Sequence, residues 1–378
     1  MLDPAHIFSL LKAQGFDLFT GVPDSLLKDF CAYVTDHTGP EDHVITANEG
    51  NAVALAAGHY LGTGRPALVY MQNSGLGNTV NPLLSLADPE VYSLPMLLMV
   101  GWRGEPGVKD EPQHVKQGRV MTALLDAMEI PWFVLDADTS NPEQVLAQAC
   151  DEMQRGMQPV ALLVRAGAFE KYKLQKDVLT DYPMRREQAI ECVVAQLGEE
   201  DMVISTTGKS SRELYEYRVA RGDGHGNDFL TVGAMGHTAS IAMGVARAQP
   251  QRRVLALDGD GSVIMHMGAL AVIGQSGLEN LLHVVINNGA HDSVGGQPTA
   301  GLAMDIPAVA RACGYRETIS VSGADDVKAA LARLMARPGP SLLEIRTNKG
   351  ARDDLGRPRS TPVENRDALM RRLGTASE

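Results

Sequence analysis

Leu257-Asp258-Gly259-Asp260-Gly261-Ser262, closed downstream by Asn287-Asn288, is the stretch on which the fold turns. Residues 254–257 form an apolar run of strand length, and Gly259-Asp260-Gly261 reads as a tight turn. Residues 267–273 suit a helix, and 281–286 form a second apolar run ending in the two carboxamides. A strand, a crossover helix and a parallel strand put Asp260 and Asn288 at the carboxyl ends of neighbouring strands, where open α/β sheets bind ligands. A hard cation needs oxygen ligands, and an Asp carboxylate with an Asn carbonyl supplies two. Backbone N–H groups freed by the turn glycines can face a phosphate. Taken alone, Gly-x-Gly is equally an ordinary strand-to-helix turn, because glycine takes positive φ without steric cost.

The whole chain, 378 residues, is long enough for two ordinary domains. Its 44% hydrophobic and 21% charged content is that of a globular protein, and a net charge of −12 argues against nucleic acid as a partner. Cys31, Cys150, Cys192 and Cys313 lie far apart without metal-ligand spacing, so four reduced thiols are expected. No apolar run approaches the ~18–20 residues of a membrane span. The start Met1-Leu2-Asp3-Pro4 lacks the basic and apolar regions of a signal peptide, which makes the cytoplasm the expected location.

In chain order, a helix over 5–14 leads into a short strand, 17–20, and the turn Gly21-Val22-Pro23-Asp24-Ser25, where Asp24 or Ser25 can cap the following helix. A strand at 44–46 precedes Ala47-Asn48-Glu49-Gly50-Asn51 and a helix of small residues, 52–58. Glu49 there suits a first-turn helix position favoured by the dipole. A strand at 67–71 and a glycine-bearing loop, 73–78, follow, with further strands at 96–100, 132–135 and 160–164. Short apolar runs alternating with helices imply a parallel sheet covered on both faces. Residues 101–119 carry Arg103, Lys109, His114, Lys116 and Arg119 among glycines and prolines, with Glu105, Asp110 and Glu111 diluting the charge. This segment reads as a long loop, either functional or simply solvated.

Periodicity fades over 167–185, read as a linker between a first domain, 1–166, and a second, 186–378. The second series runs through a helix at 186–197, a strand at 202–205, the turn Thr206-Thr207-Gly208-Lys209-Ser210-Ser211, a strand near 229–232, Gly233-Ala234-Met235-Gly236-His237 and a helix at 238–248. Helix 52–58, strand 67–71 and loop 73–78 echo helix 238–248, strand 254–257 and turn 258–261, as if one architectural unit were used twice. A polar, partly basic tail with Lys349, Arg352, Arg357 and Arg359 leads into a last helix.

Gly259-Asp260-Gly261 with Asn287-Asn288 resembles the signature of the thiamine-diphosphate-dependent 2-keto acid decarboxylases. Glu49 ahead of that motif, and a linker where longer members have a middle domain, match the family's compact form. The resemblance implies two doubly wound parallel-sheet α/β domains, pyrimidine-binding then diphosphate-binding, without a full middle domain. It implies Mg²⁺ held by Asp260, Asn288 and the Ala290 carbonyl. Thr207, Gly208, Lys209, Gly259, Gly261 and Ser262 would contact the diphosphate. Glu49 would hydrogen-bond the aminopyrimidine, Gly233 would offer its carbonyl, and Met235, otherwise a core methionine, would prop the bent cofactor.

Thr20–Ser25, Tyr70–Asn78, Gly101–Arg119, Asn288–Gln297 and Asp354–Pro358 resemble the branch acting on 3-phosphonopyruvate, with sulfopyruvate as the alternative substrate. A non-catalytic nucleotide-binding or regulatory protein on the same fold would need neither Glu49 nor the Asn pair. A small 2-keto acid with a second anionic group needs cationic or N–H donors, for which Ser25, Arg103, Lys109, His114, Lys116 and Arg119 are the supply. The family's adjacent-histidine pair is absent, leaving His291 and Asp24 for proton transfer, although His291 equally suits a hydrogen-bonding wall. Sites shared between chains imply a homodimer or higher homo-oligomer, with neither nucleic acid nor membrane as partner.

Overall fold

The computed structural model describes residues 1–176 and 179–375, so Asp177 and Val178 of the expected linker lie outside the described residues. It divides into two compact units, Met1–Asp177 with Ser293–Gln297 and Val178–Asp292 with Pro298–Glu378.

In the first unit six strands, β1 (Phe19–Gly21), β2 (His43–Ile45), β3 (Leu68–Gln72), β4 (Met96–Gly101), β5 (Trp132–Leu135) and β6 (Pro159–Val164), form one parallel sheet in the order β2-β1-β3-β4-β6-β5. Every residue of β4 and β6 is buried, as expected for strands covered on both faces. The period of two sends Leu68, Tyr70, Leu97 and Met99 to one side, against Ile7, Leu11 and Phe30. Val69, Met71, Leu98 and Val100 go to the other, against Ala52, Val53 and Ala56. The alanines let the Glu49–Thr63 helix approach the sheet closely.

The second unit holds β7 (Met202–Ser205), β8 (Asp228–Leu230), β9 (Val254–Gly259), β10 (Leu281–Asn287), β11 (Glu317–Val321) and β12 (Ser341–Arg346), again all parallel. Their order is β11-β12-β10-β9-β7-β8. Numbered from its own first strand and read from the opposite edge, this is the strand permutation of the first unit. Leu255, Leu257, Val284 and Ile286 supply one face, and Val254, Ala256 and Val285 the other.

Four local expectations are corrected. Gly259-Asp260-Gly261 is not a tight turn: β9 runs through Gly259, which is extended (φ −114°, ψ 157°), and Asp260 opens a helix to Met265, followed by a second over Gly268–Gly274. Residues 73–78 are not a loop but a 3₁₀ turn, Asn73–Gly75, running into the Leu76–Pro82 helix. Residues 112–119 belong to the Pro112–Ala127 helix, because Pro112 takes the first helical position, where proline is favoured. Neither Asp24 nor Ser25 caps the Lys28–His37 helix, whose N-cap is Leu27.

The stretch read as a linker lies along the unit on each side of its undescribed pair. The backbone of Gln175 and Lys176 donates to Asp36 at 2.8 and 2.7 Å. Thr180 Oγ1 and Tyr182 N donate to Asn348 Oδ1 at 2.7 and 2.9 Å. Among the described residues, no helix is long and apolar enough to cross a membrane.

Candidate active site

In the second unit the loops leaving β7, β8, β9 and β10 carry the residues singled out above. Asp260 is 2% exposed. Burial pushes its carboxyl up to about 6, against hydrogen bonds from the Thr299 hydroxyl and the backbone N–H groups of Asn288 and Gly261. All these donors are neutral. A Cβ on Gly301 would strike the Asp260 carboxylate, so glycine is required there for the close approach. Asn288 is buried, and its Oδ1 accepts from Ala290 N at 3.2 Å across the left-handed Gly289 (φ 66°). The preceding Asn287 donates to Glu344 Oε1 at 2.7 Å and to Gly301 O at 2.8 Å, which pins the loop on its inner side.

The donor set of Asp260, Asn288 and the Ala290 carbonyl is all oxygen, as a hard cation requires. Among the described residues no group of three or more His, Cys, Asp or Glu side chains could hold a metal ion. A cation here would therefore draw on the one Asp260 carboxylate, on amide and carbonyl oxygens and on a bound anion. The residues present fit Mg²⁺ with a diphosphate.

After β7, Gly208 (φ 92°) ends the loop, and Lys209 is the first residue of a helix reaching Arg221. That N-terminus has no side-chain cap, and a helix start of this kind favours anions. The Lys209 ammonium lies 3.5 Å from Asp292 Oδ1, while Asp292 Oδ2 takes Arg186 Nη1 at 2.7 Å. Arg186 in turn pairs with the buried Glu213 through Nε and Nη2 at 2.7 and 2.8 Å. After β8, Ala234 sits in the left-handed region (φ 52°) between Gly233 and Met235, and Gly236 N donates to the buried Ser262 Oγ at 3.0 Å. A Cβ placed on Gly261 would lie 3.3 Å from Met235 Cε and 3.4 Å from His291 Cε1. Met235, Gly261 and His291 therefore converge. Burial pushes the His291 imidazole down to about 4, so at neutral pH it is an uncharged hydrogen-bonding group.

In the first unit Glu49 follows β2 as the opening residue of its helix, 6% exposed. Asn78 Nδ2 donates to Glu49 Oε2 at 2.7 Å, and a Cβ on Gly75 would come 2.5 Å from Oε1. Asp24, after β1, is fully buried, with Gln72 Nε2 donating to Oδ1 at 2.6 Å and Leu26 N to Oδ2 at 2.9 Å. After β4, Arg103 Nη1 donates to Ser25 Oγ at 2.6 Å, and its Nε and Nη2 engage Asp110 at 2.8 and 2.5 Å. Burial opposes ionisation of Asp110, yet bonds from Arg103, Glu111 N and Gly104 N hold its carboxyl well below the usual carboxylate range. His114 Nδ1 is buried without a hydrogen-bond partner, and burial, then the Arg103 charge, lowers its imidazole. Lys109, Lys116 and Arg119 are exposed.

Asn78, Gly75, Thr299, Gln72 and Asp110 escaped the sequence reading as site residues. Asn78 and Gly75 lie in a stretch whose glycines suggest a loop. Helical spacing would have put them one turn apart on one face.

The N-terminal TPP binding domain of thiamine pyrophosphate enzymes matches residues 5–130, and their C-terminal TPP binding domain matches residues 206–345. The chain belongs to the thiamine pyrophosphate enzyme family. Within the family it is 38% identical over 379 residues to the phosphonopyruvate decarboxylase of Streptomyces viridochromogenes, covering 96% of this chain and 93% of that protein. It is 37% identical to the phosphonopyruvate decarboxylase of Streptomyces hygroscopicus, over 96% and 92% of the two chains. To the sulfopyruvate decarboxylase of Methanosarcina acetivorans the identity is 28%, over 90% and 89%. Thiamine pyrophosphate is thiamine diphosphate, so both domains of this family member are of a type that binds that cofactor.

Proposed function

We propose that this chain is a cytoplasmic decarboxylase converting 3-phosphonopyruvate to phosphonoacetaldehyde and CO₂, dependent on thiamine diphosphate and Mg²⁺ and working as a homodimer or higher homo-oligomer. The observation that carries the reading is end-to-end identity of 38% to a phosphonopyruvate decarboxylase, against 28% to a sulfopyruvate decarboxylase.

Asp260, Asn288 and the Ala290 carbonyl would hold the metal. Gly259, Gly261, Ser262, Thr207 and the Gly208–Lys209 helix start would hold the diphosphate, with Met235 beneath the cofactor and the Gly233 carbonyl beside its amino group. Glu49 would share a proton with the pyrimidine ring nitrogen, its carboxyl kept in place by Asn78. When bound, the cofactor supplies a carbon nucleophile and a sink for the electron pair released with CO₂.

Arg103, Ser25 and His114 would take the anionic head of the substrate. Lys109, Lys116 and Arg119, being exposed, would bias its approach. His291 and Asp24 are the groups that would hold or pass the proton required after CO₂ departs. His291 suits a neutral relay, and Asp24 would need Gln72 to release it first.

Metal-stripped protein, given 3-phosphonopyruvate, sulfopyruvate or pyruvate with and without thiamine diphosphate and Mg²⁺, tests the reading. The aldehyde is expected from 3-phosphonopyruvate only with both additions. Turnover without the cofactor would overturn the mechanism, and a preference for sulfopyruvate would overturn the substrate assignment alone.

A further inference from the structure

The pairing of Arg103 with Asp110 has the form of a fixed anion receptor. A guanidinium offers a side edge, Nε with Nη2, and an end edge, Nη1 with Nη2. Asp110 fills the side edge, its Oδ2 accepting from Nε at 2.8 Å and its Oδ1 from Nη2 at 2.5 Å. The carboxylate is itself fixed by Gly104 N at 2.8 Å and Glu111 N at 2.7 Å. The side chains of Arg103 and Asp110 are only 18% and 12% exposed, so this is not a solvated surface pair.

The Arg103 backbone is anchored too. Its carbonyl accepts from Asn73 Nδ2 at 2.7 Å, and Trp102 Nε1 donates to Gly118 O at 3.0 Å. A Cβ on Gly118 would strike the Gly104 carbonyl, so glycine at 118 is what lets residues 103–104 lie against the Pro112–Ala127 helix. With three of its five N–H groups assigned to Asp110 and Ser25, one hydrogen remains on Nη1 and one on Nη2.

We propose that Asp110 is a positioning residue: by occupying the side edge of Arg103 it fixes the guanidinium plane and dedicates the remaining Nη1 and Nη2 hydrogens, with Ser25 Oγ beside them, to two oxygens of the tetrahedral oxyanion head of the substrate. The inference rests on the reading that the substrate is a 2-keto acid with such a head. Planar, bidentate recognition needs the guanidinium plane set in advance, and a partner carboxylate achieves this at a smaller entropic cost on binding than a free side chain would incur. Asp110 thereby trades part of the local positive charge for direction.

The test uses Asp110→Asn in the full-length protein loaded with thiamine diphosphate and Mg²⁺. The readouts are kcat and KM for 3-phosphonopyruvate, the calorimetric Kd of methylphosphonate as the head alone, thermal midpoint and cofactor affinity. KM and the methylphosphonate Kd are expected to rise together by about tenfold or more, with kcat within about threefold and cofactor affinity unchanged. Arg103→Lys, which keeps the charge and loses the fork, should give the same pattern, and it carries the test if Asp110→Asn does not fold. Values of KM and Kd within twofold of wild type would overturn the proposal, as would a loss confined to kcat or a parallel fall in cofactor affinity. If the wild type does not turn over 3-phosphonopyruvate, the substrate reading fails, while methylphosphonate binding to wild type and variant still judges the subsite.

Discussion

Asn78 Nδ2 reaches Glu49 Oε2 at 2.7 Å from the Leu76–Pro82 helix, so the buried glutamate at the head of one helix is held by the first turns of another. Gly75 lies immediately beside the same carboxylate. An added methyl would sit 2.5 Å from Oε1 and 2.6 Å from Cγ and Cδ. Gly75→Ala must therefore displace Glu49, and kcat is expected to fall by about 10²-fold, the scale on which small misplacements act, with the circular dichroism spectrum preserved. Glu49→Gln should lose at least as much. Full activity in either variant would remove Glu49 from the mechanism.

Thr299 is the hydroxyl donor to Asp260 and is joined to the opposite side of the loop, its own N–H donating to Gly289 O at 2.9 Å. Thr299→Val keeps the shape and removes the bond. With Asp260 holding the metal as proposed, the Mg²⁺ concentration for half-maximal binding of thiamine diphosphate, read by calorimetry, is expected to rise by about 10- to 100-fold. Thr299→Ser should restore it. An unchanged Mg²⁺ requirement in the valine variant would show that the bond orients nothing.

The Arg186–Glu213 pair is a stability device. Both side chains are nearly closed to solvent, at 7% and 1% exposure. Glu213→Ala would leave Arg186 buried with Asp292 alone, and unfolding in urea should show a loss of about 3 kcal/mol. Replacing the two together by methionine and leucine should cost less than the single change. A single-variant loss below about 1 kcal/mol would mean that the pair behaves as a surface bridge.

His43 gives a pH dependence of known sign. Burial, and then the Lys176 charge, pushes its imidazole down to about 4, and its Nε2 lies 2.7 Å from the Tyr70 hydroxyl. The unfolded chain takes up this proton near 6.5. Between the two values it binds more protons than the folded chain, so stability is lost as the pH falls from about 6.5 to about 4. His43→Asn should remove on the order of 2–3 kcal/mol of that fall, read as the difference between the two urea-midpoint curves. Parallel curves would refute the assignment.

What was legible in the residues was whatever sits at a strand end with its own local signature. Glu49, Asp260 and Asn288 each follow a short apolar run, and the sheets place all three where expected. Glycine and proline misled the reading elsewhere. Pro112 starts a helix instead of breaking one, Gly75 and Gly118 serve close approaches, and none of these needs positive φ. Asp110 looked like charge dilution because its fork with Arg103 spans seven residues of irregular chain. Thr299 and Gln72 meet their partners across 39 and 48 residues, separations over which composition and periodicity carry no information.

The shared strand permutation has an evolutionary consequence. The two units share one strand order and carry different residues in the loops at equivalent strand ends. In the first, the loop after the second strand bears a glutamate and the loop after the fourth an arginine. In the second, the same two places bear a methionine and an asparagine. On the proposed reading the substrate head is assigned to the arginine-bearing loop of the first unit, and the metal and diphosphate to loops of the second. A change confined to the Arg103 loop could then alter substrate choice and leave Glu49, on a different loop of the same sheet, to the cofactor.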